Sequence, residues 1–488
     1  MIRLFAAKTL SLLFMLQVRK TYCLLIAMAM AAAACRPDGI NMDDPHPDIL
    51  SSVGDALVFD DESLPELTIS FTLDQWNAFL AAYDQESQNK QFVSCNVDFL
   101  KNGNHYLVQD AGFRMKGQTS RVRPEGSAGQ NHKAGATNWH HFHMGLNFRH
   151  FHQGQKGYDI QGVHKINLRF AHGDPSYIRE KYSFDLLQRL GVWTAIRTSW
   201  CRLYIHIEGD EMPAYYGVYL MTEAIDDEYL EARPRFGYAS GNLWKGGWGG
   251  NLNGIEDWRF GLDENQTKTF QYEYKGGAED FEPAKAQLKD FIHNLMKLEG
   301  NAFDEWICSH CDLSLILKTY AIFVALGHWD DYWNNTNNFY LYFNSRDKEK
   351  YTMYMLPFDL DNTLGTSNKT GVQDDSGRHD PYNWGMTQCI LISKILSRPQ
   401  FRKLYTKYLR ELSEKDSPFC YESSMERINE WKDLSSPWLV NDTGEDQVLR
   451  DRPAGWSNHL EYRIMEDGST NWFRVKQSVL KQYTTLQH

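Results

Sequence analysis

Acidic and amide side chains concentrate between positions 330 and 361 of the sequence. Asp330 and Asn338 enclose the run DYWNNTN, and Asp359 and Asp361 follow the mostly apolar run YTMYMLPF. Carboxylate and amide oxygens are ligands for Mg²⁺, and phosphoryl transfer needs an acid near the attacking hydroxyl as well as ligands on the metal. We therefore predict Asp330 as a catalytic acid or base, with Asp331 as its rival, and Asn338, Asp359 and Asp361 as ligands of Mg²⁺ or Mn²⁺.

These residues are placed at the ends of predicted secondary structure elements. An apolar helix over 312–327 precedes Asp330, and the run FYLYF that follows Asn338 is typical of a strand. The next predicted strand, YTMYMLPF, ends at Asp359. Asp361 lies two residues further on, so both carboxylates face the same side if the chain is extended.

A nucleotide also needs a cation on its phosphates and an acid that orients this cation. Lys165 lies on a predicted strand just before the helix that carries Glu180, and Glu223 ends the strand after which adenine would meet the backbone. We therefore predict Lys165, Glu180 and Glu223 as nucleotide-binding residues. The loop from Lys116 to Arg121 is read either as a cover for phosphates or as an ordinary hairpin turn.

The distribution of strand and helix patterns predicts an α+β protein of two lobes. Short β-rich runs dominate residues 63–225, interrupted by one helix that Asp174 would cap and Gly191 would end. Helical patterns dominate residues 226–415, and residues 416–488 read as a C-terminal helical extension. Residues 36–62 are polar and acidic, as expected of a flexible tether.

The first thirty-five residues resemble a secretion signal that ends in a lipid attachment site. Arg19 and Lys20 precede an apolar run that ends with Ala33, Ala34 and Cys35. We predict lipidation of Cys35 and a lipid-anchored protein of the cell envelope, in the outer membrane or at the cell surface. Cleavage to a soluble secreted protein is the alternative.

The charge of the chain argues against one class of partner. The formal net charge is −12 and no basic block is present, so a nucleic-acid backbone is not expected as a partner.

Five segments, in this order, resemble the CotH kinase family, which is named for a spore coat protein: FRMKGQTSR, GDPSYIREKYSFDLLQRLG, YYGVYLMTEAIDDEYL, GHWDDYWNNTNNFYLYFN and LPFDLDNTLG. The resemblance covers roughly residues 65–415. It implies an atypical protein-kinase-like fold, a β-rich N-lobe with one central helix and a mainly helical C-lobe, and the use of ATP with a divalent metal. It also implies phosphorylation of Ser or Thr hydroxyls in a protein substrate.

Three hypotheses for function follow from these patterns. The first is an envelope-anchored kinase that transfers the γ-phosphate of ATP to a protein hydroxyl. The second is a catalytically idle relative that acts as a surface binding or adhesion protein, because ATP is scarce outside the cytoplasm. The third is metal-dependent hydrolysis by the same acids.

Overall fold

The computed structural model describes residue 49 and residues 52–129, 132–133, 138–237, 239–262, 270–367 and 375–486. The predicted signal, which includes Cys35, lies outside these residues, and so does most of the predicted tether. The end of that tether is folded: the helix α1 (Val53–Val58) buries Val58, and the amine of Lys101 donates to the carbonyl of Leu57 at 2.8 Å.

A closed barrel of seven strands forms the first half of the protein. Strand residues alternate between the barrel interior and the surface. In the second strand, the residues on the interior face are Val93, Cys95, Val97 and Phe99. The barrel closes through a parallel pair between its first and sixth strands, and its other neighbours are antiparallel. In the spatial order β1-β2-β3-β4-β5-β7-β6, the strands are β1 (Glu66–Phe71), β2 (Val93–Lys101), β3 (Asn104–Met115), β4 (Met144–Asn147), β5 (Lys165–Arg169), β6 (Thr198–Ile207) and β7 (Ala214–Thr222).

Two longer helices accompany the barrel, although the sequence predicted one. Helix α2 (Leu73–Gln85) starts with a reciprocal cap between Thr72 and Gln75 and buries Trp76 in the barrel core. Helix α3 (Arg179–Arg189) is the predicted helix, but it begins five residues after Asp174.

The late start of α3 has a local cause. Tyr177 has a left-handed backbone (φ 61°), which a right-handed helix cannot include. The carboxylate of Asp174 instead accepts from the backbone N–H groups of Ser176 and Arg179, each at 3.0 Å. The predicted capping role of Asp174 is therefore wrong in its detail.

A second sheet of five strands follows, in the order β12-β11-β8-β10-β9. The pairing of β8 with β11 brings Lys245 opposite Tyr340 and Gly246 opposite Phe339. Between the two sheets the chain forms the short helix α4 (Asp227–Glu231), and the strands are β8 (Asn242–Gly246), β9 (Phe260–Leu262), β10 (Tyr272–Tyr274), β11 (Phe339–Phe343) and β12 (Met353–Pro357).

The remaining helices pack on this sheet around one large apolar core. Pro399 starts a new helix, so the helix predicted over 389–414 is two helices. The bounds are α5 (Phe281–Lys297), α6 (Gly300–His310), α7 (Leu313–Leu326), α8 (Tyr332–Asn335), α9 (Ile390–Leu396), α10 (Pro399–Ser413), α11 (Tyr421–Ser435) and α12 (Trp472–Thr485).

The C-terminal region folds back onto the barrel. The backbone N–H of Asp442 donates to the carbonyl of Tyr215 at 2.9 Å, and the Asp442 carboxylate accepts from the Tyr215 N–H at 2.7 Å. Glu445 contacts the ring of His140 at 2.8 Å. Residues 416–486 are therefore integral to the folded body.

The chain contains both a β-barrel and a sheet packed with helices, so the predicted α+β class is confirmed. The kinase-like arrangement of two lobes stays a prediction. None of the helices within the described ranges has both the length and the apolar character needed to cross a bilayer.

Candidate functional site

The carboxylate of Asp330 is surrounded by asparagine side chains. Helix α7 ends at Leu326 and is capped by Gly327, and the chain then turns through Asp330 into the short helix α8. The amide groups of Asn335 and Asn337 donate to Oδ1 of Asp330 at 2.6 and 3.3 Å. That of Asn338 donates to Oδ2 at 3.1 Å. These contacts fix the orientation of the Asp330 carboxylate.

The amide orientation of Asn338 follows from its partners. Its Nδ2 also lies 3.0 Å from the backbone carbonyl of Asp330, and both of these partners accept hydrogen bonds. The nitrogen must therefore face Asp330, and the amide oxygen Oδ1 faces away from it. This oxygen is the atom that a metal ion would take.

The rival acid Asp331 has a structural role. It is fully buried and caps α8 by accepting from the backbone N–H of Asn334 at 2.8 Å. Burial raises the pKa of Asp331 to about 7. The cap holds the turn that carries the asparagine side chains around Asp330.

A second group of acids meets at Arg169, the last residue of β5. The guanidinium Nε donates to Glu180 on α3 at 2.7 Å. Its Nη2 contacts the carboxylate of Asp359 and lies 3.6 Å from that of Asp361. Arg169 thus joins Glu180 to the two acids that follow β12.

The charges of these acids are unequal. Burial raises the pKa of Asp330 to about 6 and that of Glu180 to about 7. Burial would also raise the pKa of Asp359, but Arg169 outweighs it and holds the pKa below its usual value. Burial and the adjacent Asp359 raise the pKa of Asp361 well above its usual range. Arg169 thus favours the ionised form of Asp359, whereas Asp330, Glu180 and Asp361 hold a proton more readily than ordinary carboxyl groups.

The backbone is strained at the same place. Thr336, Asn338 and Asp359 all have left-handed backbones, with φ angles of 53°, 52° and 60°. A non-glycine residue in this region costs roughly 1–3 kcal/mol and concentrates at functional sites. The packing around the cluster thus holds Asn338 and Asp359 in positions that an unstrained chain would not adopt.

The oxygen donors suit a hard divalent cation. Mg²⁺ is commonly held by one or two carboxylates together with water and the phosphates of a substrate. Asp359, Asp361 and the amide oxygen of Asn338 supply such a set. Within the described residues, no group of three or more His, Cys, Asp or Glu side chains is arranged to hold a metal ion.

A basic cavity of about 340 Å³ opens beside these acids. Phe358, the residue before Asp359, is part of its wall, and Lys245 and Tyr340 enter it from paired positions of β8 and β11. Its charged lining consists of one carboxylate, Glu273, and six cationic side chains: Lys90, Arg114, Lys116, Arg121, Lys245 and Lys275. This charge pattern favours a polyanion.

Two of these lysines are buried beside other cationic side chains. The amine of Lys116 donates to Asn167 at 2.6 Å, and burial together with the charges of Arg114 and Lys245 lowers the pKa of Lys116 well below its usual value. Burial also lowers the pKa of Lys245, whose amine lies 5.0 Å from the ring centre of Phe358. An anion in the cavity would relieve this mutual repulsion.

Lys165 and Glu223, predicted to bind the nucleotide, lie elsewhere. Lys165 is at the opposite end of β5 from Arg169, where its amine contacts Asp226 at 2.5 Å. Glu223 is held by Arg197 at 2.6 Å and Arg233 at 2.7 Å. Both line a separate cavity of about 400 Å³. The structure does not bring them to the acids. It does bring the other predicted residues together: Arg169 joins Glu180 to Asp359, the pairing of Phe339 with Pro357 brings the residues after Asn338 and before Asp359 to the same end of the sheet, and the charge of Asp359 acts on Asp330.

Arg169 and Lys245 lie at the candidate site but were not predicted from the sequence. A signal was available for Arg169, because it lies four residues after Lys165 and therefore faces the same side of the strand. Lys245 begins the glycine-rich run KGGWGG, where a functional lysine has no distinguishing pattern.

A family model described as "CotH kinase protein" matches residues 135–484. The chain belongs to the CotH kinase family. The match contains both acid groups and Lys245, and it includes most of the segment predicted as a C-terminal extension. Strands β1, β2 and β3, with Lys116 in the loop after them, precede it.

Curated relatives in this family are distant. The chain is 25% identical over 291 residues to inner spore coat protein H of Bacillus subtilis, a match that covers 58% of this chain and 71% of the relative. It is 23% identical over 340 residues to spore coat protein homolog 1 of Rhizopus delemar, covering 65% of this chain and 51% of that protein. Invasin CotH2 of the same fungus is 26% identical over 223 residues, covering 43% and 34%. The chain thus spans about half and a third of the two fungal proteins.

Proposed function

We propose that this member of the CotH kinase family transfers the γ-phosphate of ATP to a Ser or Thr hydroxyl of a protein, with Mg²⁺ or Mn²⁺. The observation that carries the proposal is the cavity with six cationic side chains, whose wall includes Phe358, the residue directly before Asp359, and on whose Lys245 the charge of Asp359 acts. Phosphoryl transfer needs this combination, because the polyphosphate requires cations and its metal requires acids.

In this proposal Asp330 orients the acceptor hydroxyl and accepts its proton. Its carboxylate is already aimed by Asn335, Asn337 and Asn338. A pKa of about 6 keeps most of it ionised at neutral pH while leaving it a stronger base than an ordinary aspartate. Asp330 is thus suited to general-base catalysis.

Asn338, Asp359 and Asp361 would hold the divalent cation, which supplies positive charge to the phosphoryl group during transfer. Lys116 and Lys245 bind the polyphosphate from the cavity. Glu180 acts through Arg169, since the two form an ion pair of 2.7 Å between α3 and β5. This pair takes the role that the sequence assigned to Lys165 and Glu180.

We further propose that the protein works outside the cytoplasm, anchored by a lipid on Cys35. The signal-like sequence before Cys35 supports secretion. The names of the relatives, a spore coat protein and an invasin, support a position at an outer surface. The acceptor would then be a protein of the same envelope.

Thermal unfolding with ATP and Mg²⁺ or Mn²⁺, followed by transfer of radiolabelled phosphate, tests the proposal. At 100 times the Kd, ligand binding adds about 2.7 kcal/mol to stability. We expect this stabilisation in the wild type and its loss in Asp359→Asn. Asp330→Asn should keep the stabilisation but lose the transfer. Asp226→Asn, at the separate cavity, is the control and should change neither.

A surface binding protein without catalysis is the second candidate. Arg169 contacts Asp359 and Glu180 at once, so the acids have a countercharge without a metal ion. The invasin among the relatives also supports a binding role. A wild-type protein that shows neither stabilisation by ATP with metal nor label transfer would favour this candidate over the kinase.

A further inference from the structure

Two buried tryptophan side chains hold the backbone that leads into Asp330. The indole N–H of Trp384 donates to the carbonyl of His328 at 3.2 Å, two residues before Asp330. The indole N–H of Trp472, the first residue of α12, donates to the carbonyl of Ala325 at 3.1 Å, in the last turn of α7. Both indoles are fully buried. The chain is therefore fastened at two points just before Asp330.

The segment around Trp384 also contacts the chain after Asp330. The backbone carbonyl of Trp384 accepts from the side-chain amide of Asn334 at 3.4 Å. The N–H of Met386 donates to the carbonyl of Trp333 at 2.8 Å. Both contacted residues belong to α8, the short helix that follows Asp330. Trp384 and its neighbours thus hold the turn from both sides.

The contact of Trp472 with the same turn is close. Gly327 caps α7 in a left-handed conformation, and a Cβ atom added there would lie 2.5 Å from the ring of Trp472. The indole therefore packs directly against the backbone at the start of the turn. A shift of this ring would displace the residues that lead to Asp330.

The amine of Lys476, one turn after Trp472 on α12, contacts both indoles. It lies 4.4 Å from the ring centre of Trp384 and 5.7 Å from that of Trp472. Both distances are within the range of about 6 Å for an attractive interaction between a cation and an aromatic face. The same amine donates to the carbonyl of Ser376 at 2.7 Å. Lys476 thus joins the two side chains that hold the turn.

The positive charge of Lys476 is costly for the folded state. Lys476 is fully buried, and among the described residues no carboxylate forms an ion pair with it. Burial lowers the pKa of Lys476 from 10.5 to about 7, although the charge of Asp375 opposes this. Because the folded pKa is lowered, the cost is absent above pH 10.5, grows as the pH falls and is complete below about 7. An uncharged side chain of similar length would avoid this cost, which favours a role other than stability.

We propose that Lys476 is a positioning residue for phosphoryl transfer, whose ammonium group holds Trp384 and Trp472 in the arrangement that fixes the turn of Asp330. This inference rests on the proposed function, because it concerns how the proposed base is held. It also gives a role to α12, which belongs to the segment predicted only as a helical extension.

Other charged or titratable groups lie on the elements that pack around this contact. The ring centre of His379 is 5.9 Å from that of Trp384, and the ring centre of Tyr462 is 5.2 Å from that of Trp472. Burial raises the pKa of Tyr462 above its usual range. Burial lowers the pKa of His328 to about 4. The complete set on these elements is Asp375, Arg378, His379, His328, Tyr405 and Tyr462.

NMR signals of the indole N–H groups test the contact without requiring catalysis. In the mature protein with ¹⁵N-labelled tryptophan, we expect two indole signals to shift with a midpoint near pH 7, because the amine beside them loses its charge. Trp384→Phe and Trp472→Phe identify these signals. The shifts should be absent in Lys476→Met and retained in His379→Gln, which removes the nearby imidazole.

Kinetics adds a second readout. Lys476→Met should lower kcat about tenfold with the KM for ATP unchanged, because a displaced turn misplaces Asp330 but leaves the basic cavity intact. The melting temperature should not fall, since the variant removes a buried charge. Wild-type kcat should decline above about pH 7, and Lys476→Met should lack this decline. Lys481→Met, which changes an exposed lysine of the same helix, is the control and should match the wild type.

Trp384→Phe keeps the inference testable if Lys476→Met does not fold. This variant keeps an aromatic ring but removes the N–H that donates to His328, so it should also lower kcat without changing the KM for ATP.

The outcomes separate this inference from the proposed function. Wild-type transfer with kcat unchanged in Lys476→Met and Trp384→Phe would overturn the inference and leave the kinase in place. A fall in kcat matched by a fall in melting temperature in both variants would show a purely structural role and would also overturn it. Indole signals that titrate only when Lys476 is present, in a protein that transfers no phosphate, would uphold the contact and refute the kinase.

Discussion

Replacing Glu223 by glutamine should destabilise the protein in a pH-dependent way. Glu223 is only 7% exposed and contacts the guanidinium groups of Arg197 and Arg233. Burial alone would raise the pKa of Glu223, but the two arginines outweigh it and lower the pKa to about 2. The ionised carboxylate therefore stabilises the folded state.

The magnitude follows from the difference between the two pKa values. The pKa falls from 4.5 in the unfolded chain to about 2 in the fold. Each unit corresponds to about 1.4 kcal/mol, so the contribution is about 3 kcal/mol at pH 7. Because the folded pKa is lowered, this stability is complete above pH 4.5 and is lost as the pH falls towards 2. At pH 3 about 1 kcal/mol remains.

Urea unfolding of the wild type and Glu223→Gln at pH 7 and pH 3 measures this difference. Glu231→Gln is the matched control, because Glu231 lines the same cavity but is exposed, and it should change stability little at either pH. An equal loss of stability at both values of pH would refute the argument. A large increase in the KM for ATP without loss of stability would instead support Glu223 as a nucleotide-binding residue.

Three further predictions concern the site. Lys245→Met should raise the KM for ATP at least tenfold, whereas Lys165→Met should leave it unchanged, because Lys245 alone of the two lines the basic cavity. Arg169→Ala should lower the free energy of unfolding in urea by about 3–5 kcal/mol, since it leaves partly buried carboxylates without their countercharge. The value of kcat/KM should fall about tenfold per pH unit below about 6, where Asp330 becomes protonated.

Each of these predictions has a contrary result. Lys165→Met affecting ATP binding more than Lys245→Met would restore the assignment made from the sequence. Arg169→Ala with unchanged stability would show that the acids are solvated rather than paired. A rate that is constant between pH 5 and 7 would exclude Asp330 as the base.

The acids of the site could be predicted because their positions depend on local sequence. Asp330 and Asn338 precede one apolar strand, and Asp359 and Asp361 follow the next. Adjacent antiparallel strands bring these ends together, so the spacing of the acids along the sequence was enough to predict that they lie close together. Glu180 was predicted through its position on α3, and the structure places it beside Asp359 through Arg169.

The cations could not be predicted, because they depend on contacts between distant segments. Lys165 and Arg169 lie at opposite ends of β5, and only the fold shows that Arg169 is the one that contacts Glu180 of α3. The basic cavity combines β3, β8 and β10, which are far apart in sequence. Closure of the barrel also depends on residues that are far apart in the sequence, since Glu66 pairs with Arg202, 136 positions later.

The return of the C-terminal region to the barrel has a consequence for biogenesis. The backbone N–H and C=O groups of Tyr215 both form hydrogen bonds with Asp442, 227 positions later in the chain. During vectorial synthesis or export, the start of β7 is therefore complete before the residues that cover it have emerged. The nascent chain must keep this edge from pairing with other chains until Asp442 has emerged, so we expect the barrel to be covered only after this region has been synthesised.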